Sequence, residues 1–225
     1  GPQPPAGAGA AGDWLGGNLT GAEKRRICCF CERWGSGGIE SFLNNVLCRL
    51  DTSSLELDIV TVSLETSIFT EELRQRGVRF YELTEKQQNV YKSSRKFLKI
   101  VRDRRYDVVH LNVFHGFSLR YAWLAKRAGV PVVIAHSHNT ALRKSPVRPL
   151  KLFIHSLSKT VFSGCATDLW ACSAPAAEFL FSSRVLRKKG FQFVPNGIDT
   201  RRFAFNLHIR EKLRETLNMG GAVVI

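Results

Sequence analysis

The 225-residue sequence contains no apolar run approaching the roughly 18 to 20 residues of a membrane span, and it opens with neither the basic nor the apolar region of a secretory signal. These absences predict a soluble, cytoplasmic chain, in which Asn18-Leu19-Thr20 is a chance match to a glycosylation acceptor. The cysteines lack a second pair: Cys28 and Cys31 have C-x-x-C spacing, but Cys48, Cys165 and Cys172 stand apart. Cys28 and Cys31 also fall in an expected strand, where residues three apart point to opposite faces. Buried, reduced thiols and no metal are therefore expected. Also missing is any Asp or Glu between residues 108 and 167, a stretch holding eight Lys and Arg within a chain of net charge +14. One face should be strongly positive, which suits a nucleotide, a nucleic acid or an anionic membrane.

With 44% hydrophobic residues, the chain can build one good-sized core, or one domain and the beginning of another. Residues 1–25 are rich in Gly, Ala and Pro and read as a disordered leader. From Ile27 the signals alternate. Strands are expected at Ile27–Trp34, Glu56–Ser63, Val78–Leu83, Tyr106–Asn112, Pro131–His136, Asp168–Ser173 and Phe191–Pro195. Between them lie helical patterns: one beginning at Ile39, then Ile68–Arg76, Tyr91–Arg104, Phe117–Ala128, Val147–Ser163 and Ala174–Phe181. Such alternation predicts an α/β fold, a Rossmann-like parallel sheet with helices on both faces, over residues 26–200. Residues 201–225 read as a linker, with a helix near Ile209–Leu217, and the first strand of a further domain at Ala222–Ile225.

The first strand feeds its helix through Gly35-Ser36-Gly37-Gly38, and Ile39, Phe42, Leu43, Val46, Leu47 and Leu50 recur at the spacing of one buried helical face. Without Cβ atoms such a turn can pass through positive φ and let a ligand approach the backbone, where the helix N-terminus favours an anion. A nucleotide diphosphate fits that description. A turn whose glycines serve only tight packing fits the same residues, since this is neither G-x-G-x-x-G nor a P-loop. Glu40, in the first turn, competes for the same positive end of the helix.

In open parallel sheets ligands bind beyond the carboxyl ends of the strands. The residues there form a polar set: the glycine turn, Asn112 and His115, then His136, Ser137, His138, Asn139 and Thr140, and finally Asn196, Gly197 and Asp199. His136 and His138, two apart on one face, could pair on a metal, but no third ligand has a recognisable spacing. An imidazole donating to a sugar hydroxyl or phosphate oxygen suits this setting better. Asn196-Gly197 is also a strong turn dipeptide.

Together, G-G-I-E-S-F, V-V-I-A-H-S-H-N-T, A-C-S-A-P-A-A-E-F-L-F and V-P-N-G-I-D-T-x-x-F occur in order across residues 27–225. The chain thereby resembles the family 4 retaining glycosyltransferases of the GT-B fold, of the exopolysaccharide and capsule type. The resemblance implies an amino-terminal, acceptor-side domain that closes over a nucleotide-sugar held mainly by a second domain. It implies Gly37, Gly38, Asn196 and Gly197 as donor-binding and His138, or His136 if the alignment slips, beside the transferred sugar as the catalytic group. Asn112, His115, His136 and Asn139 would line the acceptor cleft. The family's E-x7-E carboxylates and basic diphosphate pair belong to the second domain and are absent here.

The expected function is transfer of a sugar from a nucleotide-sugar to a glycan or lipid-linked acceptor, with no cofactor and no metal. The anionic inner face of the membrane is a further expected partner, met by the basic segment Lys86–Arg105 and its apolar side of Val90, Phe97, Leu98, Ile100 and Val101. Two other readings compete. A nucleic-acid-binding protein has only the positive charge in its support, without exposed aromatics interleaved among the basic residues. A dinucleotide-dependent enzyme needs an acidic residue about 20 positions beyond the glycines at a strand end, and none stands there.

Overall fold

The computed structural model describes residues 24–84, 89–142, 144–198 and 200–221. The expected leader before Lys24, the Asn18 triplet, Lys86, Asp199 and the Ala222–Ile225 strand lie outside the described residues. Seven strands form one parallel sheet: β1 (Arg25–Trp34), β2 (Leu55–Leu64), β3 (Arg79–Glu82), β4 (Val108–Val113), β5 (Val132–Ser137), β6 (Asp168–Ala171) and β7 (Gln192–Phe193). Their order is β3-β2-β1-β4-β5-β6-β7, so the chain builds outward from β1 in one direction, then returns to β1 and builds in the other. The helices between them are α1 (Gly38–Leu47), α2 (Thr70–Gln75), α3 (Val90–Arg104), α4 (Arg120–Arg127), α5 (Arg148–Phe162), α6 (Ala174–Leu180) and α7 (Ser183–Lys189). An eighth helix, α8 (Leu207–Thr216), buries none of its side chains.

Period-two alternation along β1 sends its residues to two cores. Cys28 and Phe30 join a cluster with Phe97, Tyr121 and Leu180, whereas Cys29 and Cys31 join Trp34, Phe42, Leu43 and Leu73 on the other face. Cys28 and Cys31 thus lie on opposite sides of the sheet, and burial raises the thiol pKa of both and pushes Cys29 up to about 12. Helix ends follow local chemistry. The Asn89 side chain accepts from the Lys92 N–H to start α3, and the Ser173 hydroxyl accepts from the Ala176 N–H to start α6.

Three differences from the sequence reading matter for function. The apolar side of α3 packs into the first core through Phe97, Ile100 and Val101, so it is not free to meet a membrane. The apolar face of α1 is only partly covered: Val46, and Leu50 just beyond the helix, are 38% and 36% exposed and border a cavity of about 690 Å³ also lined by Ile134 and Trp170. Finally, α5 buries His155 and Ser158 but leaves Leu150, Phe153, Leu157 and Val161 exposed.

Between β4 and α4 the backbone makes a tight turn at Gly116–Leu119 that presses against α5. A Cβ on Gly116 would stand 2.4 Å from the His155 carbonyl oxygen, so only glycine fits. His155 secures the joint: its Nδ1 accepts from the Gly116 N–H at 2.9 Å and its Nε2 donates to the Phe179 carbonyl at 2.9 Å.

Candidate functional site

The polar residues expected at the strand ends separate into three levels. At the deepest, His110 and His136 stack on neighbouring strands with ring centroids 5.3 Å apart and Nε2 of His110 3.1 Å from Nδ1 of His136. His136 is fully buried, Phe42 stands edge-on to it at 5.2 Å, and its Nε2 has no partner among the described residues. Burial, reinforced by the neighbouring imidazoles, pushes His136 down to about 2 and His110 to about 3, so both rings are neutral at ordinary pH. His136 is therefore a packing group beneath the site rather than part of its surface.

Asn112 is also fully buried, below the cleft it was expected to line. Its Nδ2 is directed at the Phe30 and His110 carbonyls, 3.4 and 3.5 Å away, which turns Oδ1 toward Nε2 of His138 at 2.9 Å. A carbonyl oxygen can only accept, so His138 carries its proton on Nε2 and keeps the Nδ1 lone pair. His138 is half-buried, packs 4.0 Å from His136 and 5.1 Å from Phe42 between ring centroids, and hydrogen-bonds the Asn196 side chain. Burial lowers it to about 4, with the Asn196 bond opposing. The site's imidazole is neutral and held by two side-chain amides, Asn112 and Asn196.

At the surface, Asn196 and Gly197 follow β7 and are exposed, and the Gly197 carbonyl accepts from Asn45 of α1 at 3.4 Å. Asn139 and His115 line a second cavity of about 520 Å³ between the loops after β4 and β5 and the start of α5. His115 also lies 3.5 Å from the Glu32 carboxylate. The larger cavity by Trp170 is mostly apolar but is lined by Phe42, Asn45, His110 and Gly197, whereas His115, Asn139 and Lys151 line the smaller one.

The glycine turn departs from expectation. None of Gly35, Gly37 and Gly38 has positive φ, and Gly37, at φ −100°, caps α1 in extended conformation. The buried Glu40 carboxylate folds back to accept from the Gly35 N–H at 3.1 Å, and a Cβ on Gly37 would meet its Oε2 at 2.7 Å. Gly37 thus makes room for a carboxylate. Beside Gly38 a Cβ would meet nothing within 4 Å, which leaves that flank of the helix N-terminus open.

Sequence reasoning assigned Phe42 to the core, yet its ring is the wall against which both histidines rest. Asn45 and Lys151 were not singled out, and only the spacing of Asn45 one turn after Ser41 on α1 could have suggested the first. No group of three or more His, Cys, Asp or Glu side chains suited to a metal exists among the described residues.

This sheet order, with glycines opening α1 and polar groups at the ends of β4, β5 and β7, defines a Rossmann-like α/β fold of the kind found in GT-B proteins. The sequence pattern of the family described as Glycosyl transferase 4-like domain matches residues 37–197, and the chain belongs to that family. It is 28% identical over 188 residues to the Bacillus subtilis protein named "Putative glycosyltransferase EpsF", a match covering 82% of this chain and 48% of that protein. Its fold is similar to that of Anabaena Alr3699/HepE, solved with UDP and glucose: TM-score 0.59 at 12% identity, over 86% of this chain and 50% of that one. A Rickettsia africae glycosyltransferase gives a TM-score of 0.56 at 15% identity, over 90% and 52%. The chain thus spans about half the length of the relatives it matches.

Proposed function

We propose that the chain is the acceptor-side domain of a retaining, hexosyl-transferring enzyme of polysaccharide biosynthesis, acting on a nucleotide-sugar and a glycan or lipid-linked acceptor. Residues 26–200 form that domain and the remainder leads to a donor-binding domain. The observation that carries the reading is His138, a neutral imidazole held on one tautomer by Asn112 beside Asn196 at the carboxyl end of the sheet. A neutral imidazole there can exchange its bond to Asn196 for one to a hydroxyl of the transferred sugar without introducing a charge that would oppose the developing positive anomeric centre.

In the transfer, the anomeric bond to the diphosphate breaks, the acceptor oxygen forms the new bond, and its proton leaves with the departing phosphate. Backbone donors at Gly37 and Gly38 stabilise the diphosphate, and Asn196 and Gly197 frame the sugar. The reading needs no metal or cofactor. It is supported by the family membership and by the ligands named for the Anabaena neighbour, UDP and glucose. The enzyme works at the inner face of the membrane, and no described helix is long and apolar enough to cross it.

Calorimetric titration of the chain with UDP- and GDP-sugars tests this. Saturable binding near the millimolar range, about −4 kcal/mol, is expected from one side of a cleft. Gly38→Val should abolish it in a folded protein, and in an enzyme joining this domain to a donor-binding domain His138→Ala should lower kcat with little change in melting temperature. Normal turnover in that variant refutes the role of His138.

A further inference from the structure

The chain leaves β7 through a strap, residues 194–198, and among the described residues three polar contacts tie it down. The Val194 N–H donates to the Ala171 carbonyl of β6 at 2.9 Å, where the sheet pairing ends. The Asn196 side chain hydrogen-bonds His138, and the Gly197 carbonyl accepts from Nδ2 of Asn45 at 3.4 Å. Pro195 between them has no N–H to give. Packing does little to fix the strap: Val194, Pro195, Gly197 and Ile198 line the 690 Å³ cavity, and Ile198 is 67% exposed. A segment laid over an unfilled cavity lacks the contacts that hold a core residue, so its position depends on those bonds.

One of the three bonds ends on the reacting imidazole. With Asn112 on Nε2 and Asn196 bonded as well, the ring has no nitrogen to spare, and a sugar hydroxyl reaches it only as Asn196 leaves. How firmly Asn196 stays depends on the next residue, Gly197, and so on α1. Gly38, Phe42 and Asn45 fall at i, i+4 and i+7, one face of that helix. The face opens at the glycine turn, sets the Phe42 ring 5.1 Å from that of His138 between centroids, and reaches Gly197 through Asn45. Half-buried within a helix, an asparagine is a poorer helix former than alanine, and its bond to the strap gives it a use there.

We infer that Asn45 is a positioning residue for His138: by holding the Gly197 carbonyl it keeps the Asn196 side chain on the imidazole, and the strap is a removable cap on that ring. The inference rests on the reading of His138 as the group beside the transferred sugar and deepens it, because it names the residue that controls access to the imidazole. Two arrangements are in balance, strap on and strap off. A ligand that needs the ring uncapped binds with an affinity reduced to the fraction of molecules already uncapped. Loosening the bond from Asn45 therefore frees the imidazole and strengthens the apparent binding of a nucleotide-sugar, although Asn45 itself touches neither the ring nor the sugar.

The test uses the chain itself, with long-range proton–nitrogen spectra of His138 at pH 7 and calorimetric titration with UDP-glucose. Asn196→Ala supplies the spectrum of an uncapped imidazole. Asn45→Ala removes the donor without weakening α1, since alanine is the better helix former, and Asn45→Asp keeps the shape while an ionised carboxylate can only accept. Both should move the His138 signals most of the way to those of Asn196→Ala. UDP-glucose should bind Asn45→Ala about threefold more tightly than the unaltered chain, the size of effect expected from releasing one exposed hydrogen bond. Signals that respond to Asn196→Ala but not to Asn45→Ala would show that the strap holds itself, and overturn the role of Asn45. A response to Asn45→Ala without one to Asn45→Asp would assign the effect to shape rather than to the bond, and overturns it too. Signals unmoved by all three variants remove the cap altogether. Equal or weaker UDP-glucose binding by Asn45→Ala, with the spectra moved as expected, also overturns the cap, because the strap then serves the ligand rather than competing with it. Absence of UDP-glucose binding in every form, again with the spectra moved, removes the transferase reading and leaves Asn45 as the residue that positions His138.

Discussion

The two ends of the same sheet solve the burial of polar groups in opposite ways. At the amino end, Asp58 of β2 is fully buried and saturated: it accepts from Arg79 Nε at 2.9 Å, Arg104 Nε at 2.9 Å and the Tyr106 hydroxyl at 2.7 Å. Glu56 takes the second fork of both arginines, at 2.8 and 2.7 Å. Two strands, β2 and β3, the end of α3 and the Tyr106 hydroxyl are stapled together around two carboxylates. At the carboxyl end the buried groups of β4 and β5 are neutral imidazoles and an amide, Nε2 of His136 has no partner among the described residues, and the flank of Gly38 is open. A saturated ionic network holds a shape; an unsaturated neutral one can receive a ligand.

The largest effect should come from breaking the saturated end. Asp58→Ala leaves two guanidiniums and a buried phenol without their shared acceptor, and should cost about 3 kcal/mol in urea unfolding. Because the network is remote from the open end, nucleotide-sugar affinity in the remaining folded fraction should not change. A loss under about 1 kcal/mol would show that Glu56 alone suffices. At the opposite end, Gly116→Ala should cost about 2 to 3 kcal/mol, since the added methyl meets backbone of α5 that cannot swing aside.

Acid should separate the ends more gently. His110, His136 and His138 have folded pKa values pushed down by burial to about 3, 2 and 4, below the ordinary 6.5. Between pH 6.5 and 4 the unfolded chain therefore binds protons that the folded one refuses, and stability must fall as pH falls. Each imidazole contributes on the order of 1 kcal/mol per pH unit over that window. Glu56, held low by its bonds to Arg79 and Arg104, supplies stability that is present above the ordinary glutamate value of 4.5 and lost only below it. Melts from pH 7 to 4.5 should thus report the buried imidazoles, His155 among them, and His136→Gln should flatten the slope.

The sequence made the sheet and most helices legible because their signals are local. Alternation of Cys28, Cys29, Phe30 and Cys31 between two faces follows from period two alone, and the α1 face from its 3.6 spacing. Boundaries moved where tertiary contacts decide them: β7 has two residues where five were expected, and the Ser183–Lys189 helix, short and basic, carried no apolar period. The strand-end rule found the right neighbourhood but not its depth. That Asn112 and His136 lie underneath and His138 on top depends on which strand stands beside which, and β4 and β5 become neighbours only in the sheet. Equally, basic residues on α3 and apolar ones on α5 say nothing by themselves about which helix turns which side to the core.

The smallest effect concerns a single proton. Asn112 meets two carbonyls and one imidazole nitrogen, so its amide orientation, and through it the tautomer of His138, follows from donors having to meet acceptors. Long-range proton–nitrogen spectra of the chain at pH 7 should show His138 protonated at Nε2 alone. In Asn112→Leu the fixing oxygen is gone and two carbonyls lose a donor, a stability loss of about 1 to 2 kcal/mol. The His138 spectrum should then become a mixture of both tautomers, with Nδ1 protonated in part and less able to accept from a sugar. A His138→Gln variant separates this from simple loosening: its amide can still reach Asn112, so it should hold stability within about 1 kcal/mol while losing the imidazole signal. If His138 in the unaltered chain is found protonated at Nδ1, Asn112 is turned the other way and its Nδ2 donates to the imidazole instead.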